Sequence, residues 1–260
     1  MLGILRKMKV ELSEPINYYL RLGDEELLLN DFLDKPIKLD FQGNIFCKKC
    51  GKKIKRSFQG FCFYHFQNAP EAAECILRPE LCRAHLGEGR DPEWEEKNHN
   101  QPHLVYLALS GGVKVGVTRE TQVPTRWIDQ GASKAIPFAR TPNRYLAGMI
   151  EVDMMQYLGD KTPWQKMISN NFDNVDLSEL GDEYKDYLDP KYEQYLVQEE
   201  ALKLPYPVLL YPEVPSSVNF DKQNSFEGVL KGIKGQYLIN EKGEVINLRR
   251  HEGYEISFEG

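Results

Sequence analysis

Cys47, Cys50, Cys62 and His65 have the types and spacing of a tetrahedral metal site. Zinc takes four ligands of thiolate or imidazole character, and two short pairs joined by a loop supply them. Here the pairs are Cys47-x2-Cys50 and Cys62-x2-His65, with residues 51–61 between them. Each pair can close a tight knuckle, and Gly51 follows the second cysteine where amides turn toward sulfur. Four protein ligands leave no open position, so such a site is structural rather than catalytic. Cys75 and Cys82 offer a second, less regular cluster that His85 and His99 would complete. The alternative for that group is two small core residues and two surface histidines. His103 ranks behind His85 and His99 because it opens an apolar run, and His251 reads as an isolated polar surface residue. The expected cofactor is zinc, one ion or two.

The five cysteines all lie between Cys47 and Cys82, and the chain has 260 residues with a net charge of −6. Hydrophobic residues at 41% can supply a sizeable core, and charged residues at 28% fit a soluble globular protein. The negative total argues against a wholly basic nucleic-acid coat but leaves room for a local basic face. No run approaches the roughly 20 apolar residues that cross a bilayer, so no membrane partner is expected. The apolar Met1–Leu5 is followed at once by Arg6, Lys7 and Lys9, the reverse of a secretory signal. A cytoplasmic protein is the reading, and there clustered cysteines serve metals rather than disulfides.

Around this cluster the chain divides into five parts. Residues 1–46 form a strand-rich segment, with period-two alternation at Met8–Leu12 and similar runs at Ile16–Leu22 and Ile37–Phe41. Residues 47–102 form the zinc-binding module. Residues 103–170 are the best patterned: strands at His103–Leu109 and Val113–Thr118 flank a Ser110-Gly111-Gly112 turn. A helix is expected to start in Pro124–Gln130. Another spans Asn143–Leu158, with Ala147, Ile150, Met154 and Leu158 on one face, and residues 160–169 extend it or begin the next. Residues 171–203 read as an acidic, solvated helix or linker. Residues 204–260 return to strands, at Val208–Tyr211, Gly228–Ile233, Gln236–Ile239 and Val245–Leu248.

Between the two ligand pairs lies a basic run, Lys48, Lys49, Lys52, Lys53, Lys55 and Arg56, followed by Phe58, Phe61, Phe63, Tyr64 and Phe66. Basic residues beside exposed aromatics suit phosphate contact and base stacking. The alternative is a solvated face whose aromatics pack the small module.

In the best-patterned region, Leu104-Val105-Tyr106, then Lys114-Val115-Gly116, then Arg126 and Glu151 resembles the GIY-YIG nuclease superfamily. The resemblance implies that Tyr106 is the tyrosine of the first motif and Gly116 the glycine of the second. It implies that Arg126 binds phosphate and that Glu151 holds a magnesium ion. Leu104 stands where the family has Gly, and Lys114 where it usually has Tyr, which removes one phenol. Phosphodiester hydrolysis needs an activated water and positive charge on the non-bridging oxygens, and these residue types supply both. Glu151 lies within about 40° of its helix's apolar stripe, so it can point into a cleft beside the sheet. Arg144, seven residues earlier, is on the same side, where a Glu–Arg ion pair is the plainer reading. Arg119 adds to a local basic excess over 110–145 that fits a phosphate-facing surface.

Across nearly the whole chain, Cys47-Lys48-Lys49-Cys50-Gly51, Arg78-Pro79-Glu80-Leu81-Cys82, Gly89–Trp94, Lys114–Arg119, Pro124–Ala132 and Gly232–Leu238 resemble an uncharacterised bacterial family of unknown function. That family usually has Cys where His65 stands, and further Cys near Glu88 and His99, so the resemblance implies a preserved first zinc site and an altered second. The expected architecture is α+β: a GIY-YIG-like α/β core with a zinc-binding module, flanked by strand-rich terminal segments packed as a small β-barrel-like unit. The expected function is action on nucleic acid, DNA or RNA, as a magnesium-dependent phosphodiesterase. The alternative is a non-catalytic nucleic-acid or ribonucleoprotein binding module, or an interaction protein with a protein partner and a purely structural zinc.

Overall fold

The computed structural model describes residues 1–158, 163–173 and 175–260. It opens with β1 (Leu2–Glu11), β2 (Asn17–Leu22), β3 (Glu25–Leu28), β4 (Pro36–Phe46) and the two-residue β5 (Lys53–Ile54). Strand β2 buries every second residue, Tyr18, Leu20 and Leu22, as a sheet with one wet face requires. A stretch of little regular structure follows: α1 (Phe63–Asn68), single 3-10 turns from Pro70 to Leu86, and α2 (Pro92–His99). Helix α2 starts where the sequence stops it from starting earlier. Pro92 occupies the first turn, where its missing N–H costs nothing, and the Asp91 side chain caps the Trp94 amide at 3.1 Å.

The central part runs β6 (His103–Leu109), β7 (Val113–Arg119), α3 (Thr125–Asp129), β8 (Lys134–Thr141), α4 (Arg144–Met154), α5 (Trp164–Ser169), α6 (Leu177–Lys185) and β9 (Leu202–Lys203). These strands form an antiparallel sheet in the order β7-β6-β8-β9. All of β6 is buried, because both of its faces are covered. Tyr106 and Ala108 face a core shared with the terminal strands, while Val105, Leu107 and Leu109 face α4 and α6. Asn143 caps α4 by accepting from the Leu146 amide at 3.0 Å, and Ala147, Ile150 and Met154 form its buried stripe. The expected stripe therefore holds, although the helix ends at Met154 and the buried Leu158 lies in the turn beyond. Of the expected continuation over 160–169, residues 160–162 lie outside the described residues, and Trp164–Ser169 is a new helix.

The chain closes with β10 (Ser216–Val218), β11 (Ser225–Lys234), β12 (Tyr237–Asn240), β13 (Glu244–Asn247) and β14 (Tyr254–Glu259). Both ends of the chain enter one sheet, ordered β10-β13-β12-β11-β4-β14-β1-β2-β3, with β5 on β4. The architecture is thus α+β with sheet-rich termini, and they do pack together. The hydrogen-bonded path ends at β3 and β10 rather than closing on itself, which corrects the expected barrel-like unit.

Three further expectations change. Val208–Tyr211 is not a strand: Val208 makes one bridge to Gly232, and Leu209 and Leu210 are exposed. The acidic stretch is not a solvated linker. Leu177, Leu188 and Tyr192 are buried against the sheet, so the acids mark only the outer face of packed turns. His251 is fully buried, with Nδ1 at 2.9 Å from the Asn247 carbonyl and Nε2 accepting from the Phe220 amide at 3.2 Å.

A few buried polar ties dock the two sheets. Gln236 donates to Asp129 Oδ1 at 2.8 Å while its own oxygen accepts from the Met8 amide at 3.0 Å. Lys7 on β1 pairs with the other oxygen of Asp129. The Tyr206 hydroxyl donates to the Ala132 carbonyl at 2.8 Å.

Candidate functional site

Two groups of side chains are built like metal sites. In the first, one ligand atom each from Cys47, Cys50, Cys62 and His65 lies within 4.8 Å of all the others. His65 Nδ1 is 3.5 Å from the Cys47 sulfur and 3.3 Å from that of Cys62. Burial pushes the Cys47 thiol up, but the Cys50, Cys62 and Lys49 amides and the His65 ring outweigh it and draw the thiol down to about 6. Amides aimed at sulfur stabilise the thiolate that a metal needs. Around this knuckle the module has little other core, chiefly Phe61 and Ala69 with Ile54 and Phe66 packed on them.

The second group comprises Cys75, Cys82, Glu95 and His99, all buried, again with ligand atoms within 4.8 Å of one another. Glu95 stands where His85 was expected. His85 is exposed and stacks on Tyr145 at 4.6 Å, outside the group of four. A buried carboxylate was the signal that sequence reading missed. Glu95 and His99 are four residues apart on α2 and so share one face. Both groups could hold a metal such as zinc.

The large cavity of the described residues, about 790 Å³, lies next to this second group. Its walls come from three parts of the chain. Ile76–Glu80, Trp94 and His99 form one; Lys7 of β1 and Arg249 of the turn before β14 form another; the central sheet, α3 and α4 form the third. Tyr106, Lys114, Arg126 and Glu151 all line it, as do Arg119 and Arg144. The register explains part of this. Tyr106 pairs directly with Gly116 across β6 and β7, so Lys114 lies two residues along on the same face. The hydroxyl of Tyr106 would lie only 2.6 Å from a Cβ at position 116, so only glycine leaves it room.

The chemistry of the cavity is cationic. Setting Lys7 against Asp129 and Arg78 against Glu80 leaves Lys114, Arg119, Arg126, Arg144 and Arg249 with Glu151. The Tyr106 hydroxyl donates to Gln130 Oε1 at 2.7 Å. Burial pushes that hydroxyl up, against the pull of Arg126, so it stays protonated. Burial also draws the Lys114 ammonium down to about 8; the charge of Arg126 adds to this and Glu151 opposes it. Arg119 donates to Asn98 Oδ1 at 2.6 Å and so ties β7 to α2.

The family model described as "Protein of unknown function (DUF2797)" matches residues 34–256. The chain belongs to that family. No curated protein and no solved structure matches it. In this DUF2797 chain the match takes in both cysteine groups and every wall of the cavity except Lys7.

The basic run is less concentrated than its spelling suggests. Lys49 pairs with Glu71 at 2.6 Å, and Lys48 sits over the Phe61 ring at 4.2 Å and near Glu252 at 3.9 Å. Lys52, Lys53, Lys55 and Arg56 are exposed, with Arg56 over Phe58. Phe58, Phe61 and Phe66 pack the knuckle, whereas Phe63 and Tyr64 face outward. Among the described residues, no helix is long and apolar enough to cross a membrane.

Proposed function

We propose that the cavity is a nucleic-acid cleft in which Tyr106, Lys114, Arg126 and Glu151 hydrolyse a phosphodiester, with the Cys47 group as a structural zinc knuckle. One observation carries the reading. Four residues between positions 106 and 151, of the types that phosphodiester chemistry needs, line one cavity that otherwise carries an excess of cations. The sheet order β7-β6-β8, with α3 and α4 around it, is also compatible with a GIY-YIG-like core.

Each residue then has a role that follows from its surroundings. Arg126 and the cations around it neutralise the phosphate and its developing charge. The Tyr106 proton is committed to Gln130, and the residue has no solvent exposure, so its phenol stays a neutral dipole that holds Gln130 at the cavity wall. Lys114, drawn to about 8, spends part of its time as a neutral amine at mildly alkaline pH and can take the attacking water's proton. This would compensate for the phenol that the motif lacks at 114. A single carboxylate in an open polar cavity suits magnesium, which keeps most of its water, and Glu151 is the residue that would hold it. When bound, magnesium would supply Lewis-acid stabilisation of the phosphate oxygens.

The test is end-labelled single- and double-stranded DNA and RNA, incubated with the purified protein and magnesium. Cleavage that disappears in Glu151→Gln, with binding retained, is the expected result. Cleavage that survives Glu151→Gln removes the assignment. Lys114 at the place of a phenol favours a second reading, non-catalytic binding, which predicts steeply salt-dependent binding and no cleavage by the wild type.

A further inference from the structure

We propose that Cys75, Cys82, Glu95 and His99 hold a second zinc ion, and that this ion fixes the cleft wall and the register of α4 through the loop that it closes. The donor set fits zinc: two thiols, an imidazole and a carboxylate, all buried, with His99 Nδ1 at 4.0 Å from the Cys75 sulfur and 3.6 Å from Glu95 Oε2. Glu95 is only 2% exposed, and a buried carboxylate beside two thiols is costly without a cation. Arg144, the nearby guanidinium, is turned to backbone instead. It donates to the carbonyls of Cys75 at 3.0 Å and Ile76 at 2.9 Å.

The carboxylate is also oriented for the task. Its Oε1 accepts the Arg90 amide at 2.8 Å, which leaves Oε2 for the cluster. Gly89 has no Cβ because one would lie 2.3 Å from the carboxyl carbon.

The ligands Cys75 and Cys82 bracket Ile76–Leu81, and Ile76–Glu80 line the cavity. A metal bound to both ends closes this loop, and the closed loop sits on α4. Gly148 approaches it so closely that a Cβ there would lie 2.2 Å from the Glu80 nitrogen and 2.4 Å from the Pro79 carbonyl carbon. Arg144, Gly148 and Glu151 follow at i, i+4 and i+7, one face of the helix. The helix face that presents Glu151 to the cleft is therefore the face clamped by the loop. Arg144 is a positioning residue in this scheme. The wall belongs to the cleft proposed above and the inference deepens that reading, but its tests need no nucleic acid.

Zinc is counted in the purified full-length chain by atomic emission, and amide hydrogen exchange is followed by mass spectrometry. The wild type is expected to carry about two zinc ions and Glu95→Ala about one. In Glu95→Ala, segments 75–82 and 144–151 should exchange at least about tenfold faster, with 47–65 unchanged. Glu95→Cys, which restores a strong ligand, should return both the second zinc and the slow exchange. One zinc in the wild type, or two in Glu95→Ala, overturns the site. Unchanged exchange at 144–151 on loss of the second zinc overturns the clamp. If Glu95→Ala does not fold, Glu95→Cys and the wild type decide. A wild type whose Cys75 and Cys82 react freely with a thiol reagent in excess zinc overturns the proposal.

Discussion

Gly116→Ala tests whether the β6–β7 pairing is what positions the Tyr106 hydroxyl. The new Cβ would lie 2.6 Å from that oxygen, 2.7 Å from Cζ and 3.2 Å from Cε1. Ordinary contact begins near 3.4 Å, so the ring must move by roughly 0.8 Å. It has nowhere cheap to go. Tyr106 is fully buried, and its ring meets Trp127 at a centroid distance of 5.8 Å. Overpacking of this kind costs about 1–3 kcal/mol. Stretching the hydroxyl's bond to Gln130 adds about 1 kcal/mol. Replacing glycine at an unstrained position returns about 0.4–1 kcal/mol through the unfolded chain. The net loss is about 1–3.6 kcal/mol, or a melting temperature lower by roughly 2–14 °C for a chain of this size. If the proposed phosphodiesterase chemistry depends on that oxygen, a displacement approaching 1 Å should lower cleavage by about 100-fold. Thermal unfolding followed by circular dichroism, in a cycle with Tyr106→Leu, isolates the cause. Once the ring is gone, Gly116→Ala should cost nothing further. An equal loss in both backgrounds, or none in either, would refute the steric argument.

Lys234 has no solvent exposure and lies 5.3–5.5 Å from the rings of Phe172, Tyr206 and Tyr211, with Asn170 Oδ1 at 2.7 Å. Burial lowers its ammonium to about 7 from the ordinary 10.5. The charged form therefore weakens the fold by an amount that is absent above about pH 10.5, grows as pH falls, and is complete below about 7. Lys234→Met should be more stable than the wild type in urea melts at pH 6, with the gap closing toward pH 10; a constant gap would count against it. If neutral Lys114 is the base, the rate of cleavage should rise with pH up to about 8 and then level. Lys114→Arg, which stays charged, should be slow throughout, and an unchanged profile in that variant would remove Lys114 from the chemistry. Changing Lys52, Lys53, Lys55 and Arg56 together to Gln should leave melting unchanged, since all four are exposed. If each touches a phosphate, the slope of log affinity against log salt should fall by about 3–4. An unaltered slope would mean that nucleic acid passes elsewhere.

What could be read from the sequence was what depends on near neighbours. The Cys47 group is local, and so are the Asn143 cap and the Ala147, Ile150 and Met154 stripe of α4, which the chain spells in single turns. The second cluster was half legible. Its cysteines and His99 stand out as rare types, but Glu95 is one of many acids, and only its burial separates it from the others. His85 is nearer to Cys82 in sequence, yet it is exposed and stacks on Tyr145 rather than joining the four. Charge misled at 171–200 because acids crowd the outer face of turns whose Leu177, Leu188 and Tyr192 are in the core. The pairing of β4 with β11 and β14 joins residues about 200 apart, and no local pattern encodes it.

The cleft itself explains how an acidic chain can present a cationic site. Its charges are brought together from distant parts: Lys7 from β1, Arg249 from the turn before β14, Arg78 from the cysteine loop, and Lys114, Arg119, Arg126 and Arg144 from the centre. Each is unremarkable in its own stretch of sequence. Assembled on low-dielectric walls, they act on one volume, and a cavity concentrates a field that a flat surface disperses into water. The acids that set the net charge of −6 are spread over exposed faces such as that of α6, with Glu179, Asp182 and Glu183, where solvent screens them. The cleft's potential therefore depends on how the parts dock more than on composition. Over a shared apolar core, the polar part of that docking includes Gln236 and Lys7 on Asp129, and Arg144 on the carbonyls of Cys75 and Ile76. Both Lys7 and Arg144 line the cleft, so side chains that shape its potential also hold its walls together.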